Sequence, residues 1–151
     1  MQCSHKGLFL VSTLHTHASA SSPKHEPTMS KKKILLVDDS STVLLLHKMM
    51  LADRDYELLT ARNGQEAVDK ALAERPDLIF MDLVMPKMTG FEACRVLRAR
   101  EETRATPIIM VTTRGEPHNV KEGFESGCTD YITKPFNGDE LLVKLRSYLG
   151  P

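Results

Sequence analysis

The chain has 151 residues, with 20 Lys or Arg against 20 Asp or Glu, 5% aromatics and no tryptophan. That length suits one domain with a proper core, and the balanced charge excludes a broad cationic field for nucleic acid or an anionic membrane, with few rings for base stacking. No apolar run approaches the roughly 20 residues that span a bilayer, and Cys3, Cys94 and Cys128 lack the short spacings of a zinc or disulfide framework, so they read as thiols of a cytoplasmic, reducing compartment.

The first 29 residues are rich in Ser, Thr and His and have little periodicity. Lys6 before LFLVSTL, with ASA at 18–20, has the outline of a secretion signal. Its apolar part is short and is interrupted by Ser12 and Thr13. A disordered tail or an upstream-extended start is expected for 1–29, and a single domain for 30–151. His15 and His17 have no carboxylate or cysteine neighbours in that tail and read as solvated residues.

From Lys33 two textures alternate. ILLV (34–37) predicts a first strand, ending in Asp38 and Asp39. Val43, Leu46 and Met50 make a helical stripe. YELLTA (56–61) predicts the second strand, and Ala67, Ala71 and Leu72 the next helix. DLIFMD (77–82) is the third strand, followed by a helix with Phe91, Cys94, Val96 and Leu97 on one face. PIIMVTT (107–113) is the fourth, and a weak helix around Val120 and Phe124 follows, with Pro117 in its first turn. CTDYIT (128–133) is the fifth, and Leu141, Leu142, Leu145 and Leu149 mark the last helix. Continuous apolar strands suit burial on both faces. The βα alternation implies a parallel sheet covered by helices on both sides, with ligands outside the carboxyl ends of the strands.

Those ends carry Asp38, Asp39, Asp82, Thr112, Thr113 and Lys134. Clustered carboxylates repel, and burial worsens the repulsion unless a cation neutralises it. Mg²⁺, a hard cation that keeps waters and takes one or two carboxylates plus a phosphate, fits that need. Lys134 adds a compact positive charge, and an Asp is available as nucleophile. Each residue also has a plainer reading. Asp38 alone is a good helix N-cap, Thr112 a β-branched strand residue, Tyr131 core filling and Lys134 a loop lysine. Two adjacent acids with a third on another strand favour the metal.

VDDSS, MDLVMPKMTG, IIMVTT and DYITKPF, in that order and at strand ends, resemble the receiver domain of two-component response regulators, over about 31–150. The resemblance implies a flavodoxin-like, doubly wound five-stranded parallel sheet of order 2-1-3-4-5 with five helices. It implies that Asp82 is the phosphoacceptor, and that Asp39, Asp82 and the Val84 carbonyl bind Mg²⁺, with Asp38 acting through water. By the same resemblance Lys134 pairs with a phosphoryl oxygen, Thr112 hydrogen-bonds the phosphoryl group, Tyr131 turns inward, and the Lys134–Pro135 bond is cis. The implied donor is a sensor histidine kinase or histidine phosphotransfer protein. A downstream protein would read the surface around Val120, Phe124 and Tyr131, with no direct role for nucleic acid or membrane.

The receiver pattern usually has a small residue where Thr113 stands, so slower phosphorylation or hydrolysis is expected. Leu44, Leu45 and Met49 fall off the first helix's stripe and mark either a docking surface beside the site or a wider buried face. His47 and His118 read as surface or packing residues rather than phosphodonors, and the methionines as packing. The chain closes after the fifth helix at Pro151, so a stand-alone switch is expected, catalysing only its own phosphorylation and dephosphorylation. The alternatives are a small Mg²⁺-dependent phosphohydrolase with an Asp nucleophile, which lacks a visible substrate loop, and a nucleotide-binding domain, which lacks a glycine-rich loop after the first strand.

Overall fold

The computed structural model describes residues 30–113 and 117–151. The readings made on residues 1–29, and on the His118 side chain, lie outside the described residues. Five strands alternate with five helices: β1 (Lys32–Val37), α1 (Ser41–Met50), β2 (Tyr56–Ala61), α2 (Gly64–Glu74), β3 (Leu78–Asp82), α3 (Gly90–Arg98), β4 (Ile108–Thr113), α4 (Pro117–Glu125), β5 (Asp130–Lys134) and α5 (Gly138–Leu149). Every pairing is parallel and the order is β2-β1-β3-β4-β5, the flavodoxin-like arrangement that the resemblance implied.

Side chains alternate across the sheet. Ile34, Leu36, Leu78, Phe80, Ile109, Val111 and Ile132 pack with Leu44 and Leu51, and with Leu141, Leu142 and Leu145 of α5. Leu35, Val37, Ile79, Met81, Ile108 and Met110 pack on the other side with Ala67, Val68 and Ala71 of α2 and Ala93, Cys94 and Leu97 of α3. This double burial is why β1, β3 and β4 read as unbroken apolar runs. Edge strand β2 is only partly buried.

The first helix corrects the sequence reading. Its inward stripe is Leu44, His47 and, just past its end, Leu51, all buried, while Val43 and Met50 are half-buried. Leu45, Leu46 and Met49 are exposed, at 58%, 49% and 65%. A histidine on the inward face hid the true phase, so counting apolar residues alone put Leu46 in the core. Leu44 is therefore a core residue, not part of an exposed docking surface; Leu45 is exposed as expected.

Local chemistry starts each helix. Ser40 caps α1 by accepting from Val43 N. Thr89 with Glu92, and Asn137 with Glu140, form capping boxes for α3 and α5. Gly90 is required by a close approach, since a Cβ there would meet the Asp82 carbonyl oxygen at 2.3 Å. Its N–H donates to Leu83 O at 3.0 Å, seating α3 under the end of β3. Gly90→Ala is expected to lower stability by roughly 2 kcal/mol through this overpacking, read as a lower urea midpoint. An unchanged midpoint would contradict the close approach.

Candidate functional site

The alternation that builds the core also sorts the residues at the carboxyl edge. Asp82, Thr113 and Lys134 share strand parity with the α1/α5 side, whereas Thr112 and Tyr131 have the opposite parity.

Asp38 is almost fully buried just past β1. It does not cap α1, because Ser40 does. Its Oδ1 accepts from Ser40 N at 2.9 Å and its Oδ2 from Lys134 Nζ at 2.9 Å. Asp82, at the end of β3, accepts from Leu83 N at 3.0 Å, and the same oxygen lies 3.7 Å from Lys134 Nζ. Asp39 is exposed, and its backbone carbonyl accepts from Arg62 at 3.2 Å. Carboxylate oxygens of Asp38, Asp39 and Asp82 all lie within 4.8 Å of one another.

One ammonium thus meets two of the three clustered carboxyl groups. Burial pushes the Asp82 pKa up to about 6; Lys134 and the Leu83 N–H pull it down, and Asp38 and Asp39 push it further up. The donor set is all oxygen, with an excess of negative charge and no imidazole or thiolate among the three ligating groups. That chemistry fits a hard divalent cation such as Mg²⁺ and suits zinc poorly. Val84 lies two residues past Asp82 and is 80% exposed.

On the other side of the edge, Thr112 is buried, one residue beyond the Val111 that pairs with Asp82. Tyr131 stands partly exposed, with Phe124 edge-on at 6.1 Å and Lys144 Nζ 5.9 Å from its ring centroid. Asp130 accepts from Lys144 Nζ and from Tyr148 OH, both at 2.8 Å. Burial opposes ionisation of Asp130, but those hydrogen bonds prevail and hold its pKa below the usual carboxylate range. The hydrogen bond to Asp130, then burial, pushes the Tyr148 phenol up to about 12. Val120 is half-buried and Phe124 exposed on α4.

The structure therefore brings together Asp38, Asp39, Asp82 and Lys134, and places Thr112 on the neighbouring strand. Tyr131, Val120 and Phe124 belong to a separate surface, and Leu45 to a third, beside a groove between α1 and β2. Thr113 is exposed and lines a different groove, with Lys134, Pro135 and Phe136. The Lys134–Pro135 bond is cis. Cys94 and Cys128 are unpaired and buried, and burial raises both thiol pKa values, Cys128 to about 11.

Sequence reasoning missed two arrangements. One is the Asp130–Lys144–Tyr148 cluster beneath Tyr131. The other is His47, whose ring stacks on Phe136 at 5.1 Å. Burial lowers the His47 pKa; the Asp38 charge opposes that and Lys134 reinforces it. The spacing of Leu44, His47 and Leu51 was the available signal.

Comparison with known proteins bears on the whole arrangement. The family described as the response regulator receiver domain matches residues 34–146. The chain is 44% identical over 104 residues to the transcriptional regulatory protein ResD of Bacillus subtilis, spanning 69% of this chain and 42% of that protein. It thus spans well under half the length of this curated relative. Among solved structures, the chemotaxis response regulator CheY4 of Vibrio cholerae aligns with a TM-score of 0.74 at 40% identity, covering 79% of this chain and 99% of that one. The receiver domain of a sensor histidine kinase from Pseudomonas aeruginosa PAO1 aligns with a TM-score of 0.75 at 32% identity, covering 80% and 99%, and holds a magnesium ion in its active site cleft.

Proposed function

Since the chain belongs to the response regulator receiver domain family of two-component systems, we propose that it accepts a phosphoryl group on Asp82 from a sensor histidine kinase or histidine phosphotransfer protein in the cytoplasm. The observation that carries this reading is Lys134 Nζ, which stands 2.9 Å from Asp38 and 3.7 Å from Asp82 within a cluster of three carboxyl groups. Asp38, Asp39, Asp82 and the Val84 carbonyl would hold Mg²⁺, which when bound supplies charge that offsets the carboxylates and the phosphoryl oxygens.

In the transfer, a carboxylate oxygen of Asp82 attacks phosphorus and forms the O–P bond. The P–N bond to the donor imidazole breaks, and the imidazole leaves with the electron pair. Lys134 shifts its ammonium toward a phosphoryl oxygen, where negative charge collects. The Thr112 hydroxyl then donates to another phosphoryl oxygen. Its movement opens space on its own side of β4 for Tyr131 to turn inward, away from Phe124 and Lys144. A local charge change thereby alters the face formed by α4, β5 and α5, where a downstream protein docks. The protein is a signalling domain whose chemistry is confined to its own Asp82.

Protons and Mg²⁺ compete for Asp82. With a folded pKa of about 6, the carboxylate is ionised above that pH and protonated below it. Mg²⁺ affinity is expected to be flat above pH 7 and to weaken by up to about tenfold per pH unit below 6, measured by calorimetric titration. A flat profile down to pH 5 would remove Asp82 from the metal site.

The function is tested with beryllofluoride and Mg²⁺ on ¹⁵N-labelled protein. The amide resonances of Thr112, Tyr131 and the α4–α5 face are expected to shift in the native protein and to stay fixed in Asp82→Ala. Shifts confined to the carboxylate cluster, or equal shifts in the variant, would overturn the reading.

A further inference from the structure

Lys134, Pro135 and Phe136 border a groove of about 480 Å³ that is also lined by Val43, His47, Met50 and Thr113. The groove leaves open space beside the segment that carries Lys134, and His47 of α1 lies against that segment. Its ring stacks on Phe136 at 5.1 Å with an interplanar angle of 30°, and it is 7% exposed. Phe136 itself packs against the core that contains Leu44 and Leu141. The other inward positions of this helix stripe are leucines. A leucine at 47 would fill the same core but offer no flat face to the Phe136 ring. The stack is thus a tie between α1 and the segment that carries Lys134, made two residues from the ammonium.

We propose that His47 is a positioning residue: its stack on Phe136 holds the end of β5 so that Lys134 Nζ reaches Asp38 and Asp82. The part this plays in phosphoryl transfer rests on the function proposed above; the tie to Lys134 does not. His47 touches no reacting atom and acts through Phe136 and the backbone between. A small displacement of a charge that must meet the phosphoryl oxygens is costly, since misplacing a catalytic group by about 1 Å slows a reaction by as much as 10²-fold.

The test compares the full chain with His47→Leu, which keeps an apolar core residue without a ring, and His47→Phe, which restores the stack. Two readouts are taken at saturating Mg²⁺: the rate of phosphorylation by acetyl phosphate, and the ¹³Cε resonance of Lys134. His47→Leu is expected to slow phosphorylation roughly tenfold and to move the Lys134 signal toward that of a solvated lysine. His47→Phe is expected to recover both. Mg²⁺ affinity is expected to rise in His47→Leu, because a displaced Lys134 no longer competes with the ion for Asp38 and Asp82, and to return toward the native value in His47→Phe. A Lys134 signal that is unchanged in His47→Leu, or displaced equally in His47→Phe, overturns the positioning role. If the native protein takes no phosphoryl group while the Lys134 signal still moves in His47→Leu and returns in His47→Phe, the tie stands and the proposed function falls.

Discussion

Replacing Asp82 by Asn is expected to abolish phosphorylation while making the metal-free protein more stable. The sign follows from the carboxyl pKa, which rises from 3.8 to about 6 on folding. Below about pH 4 both states hold the proton and Asp82 carries no penalty. Between 4 and 6 the unfolded chain releases it more readily than the folded one, and stability falls as pH rises. Above 6 the loss is complete, on the order of 3 kcal/mol. The Asp82 side chain is 14% exposed, so little of this is screened by solvent. The amide of Asn has nearly the same shape and no charge. In urea denaturation at pH 8 without Mg²⁺, Asp82→Asn should gain roughly 2–3 kcal/mol over the native protein. At pH 4 the gain should vanish. Saturating Mg²⁺ should narrow the gap at pH 8 by stabilising the native chain more than the variant, which lacks one carboxylate ligand. Equal stability at pH 8 would mean that the three carboxyl groups impose no strain on the empty cluster.

Lys134→Met should act in the opposite direction. Asp38 is 2% exposed, and Lys134 Nζ at 2.9 Å is the cation nearest its Oδ2 among the described contacts. Removing one partner of a buried pair leaves the other charge uncompensated and typically destabilises by about 3–5 kcal/mol. Lys134 is itself a quarter exposed, which places the expectation at the lower end. The thermal midpoint should fall in metal-free buffer, and Mg²⁺ should restore more stability to Lys134→Met than to the native protein, since a cation at the cluster takes over the neutralisation. Phosphorylation by acetyl phosphate with Mg²⁺ present should still slow by about 10²-fold for want of the ammonium. A variant as stable as the native chain would show that the Lys134–Asp38 pair does not neutralise the buried acid.

The parts of this molecule that were legible in the sequence are those set by strong local signals. β1, β3 and β4 lie inside the sheet, so their residues are apolar at both parities and their limits are sharp. The Asp38–Asp39 pair stood out because a buried strand gains nothing from ending in two like charges unless something binds them. The phase of α1 was less legible, because His47 occupies a core position and the periodicity rests on apolar residues. That single residue left Leu44 off the inward stripe, open to either a docking or a buried role, and put Leu46 on it. The cap of α1 was not legible in the same way: Asp38 and Ser40 are both good N-caps, and only the fold shows that Ser40 caps the helix while Lys134 engages Asp38. Tyr131 could be placed near the site from its strand, but its neighbours Phe124 and Lys144 come from two helices whose surface residues carry no periodic signal. Contacts between elements, such as His47 with Phe136, leave a trace in sequence only when the facing residues are unusual for their positions.

That Asp82 becomes a phosphoacceptor through the carboxylates and cation around it is tested most directly by intact-protein mass spectrometry after incubation with acetyl phosphate. With Mg²⁺ the native chain should gain the mass of a single phosphoryl group, labile to hydroxylamine as an acyl phosphate is and mapping to Asp82, with no gain when the metal is chelated. A stable adduct elsewhere, an adduct that forms as readily without Mg²⁺, or no adduct at all would contradict it.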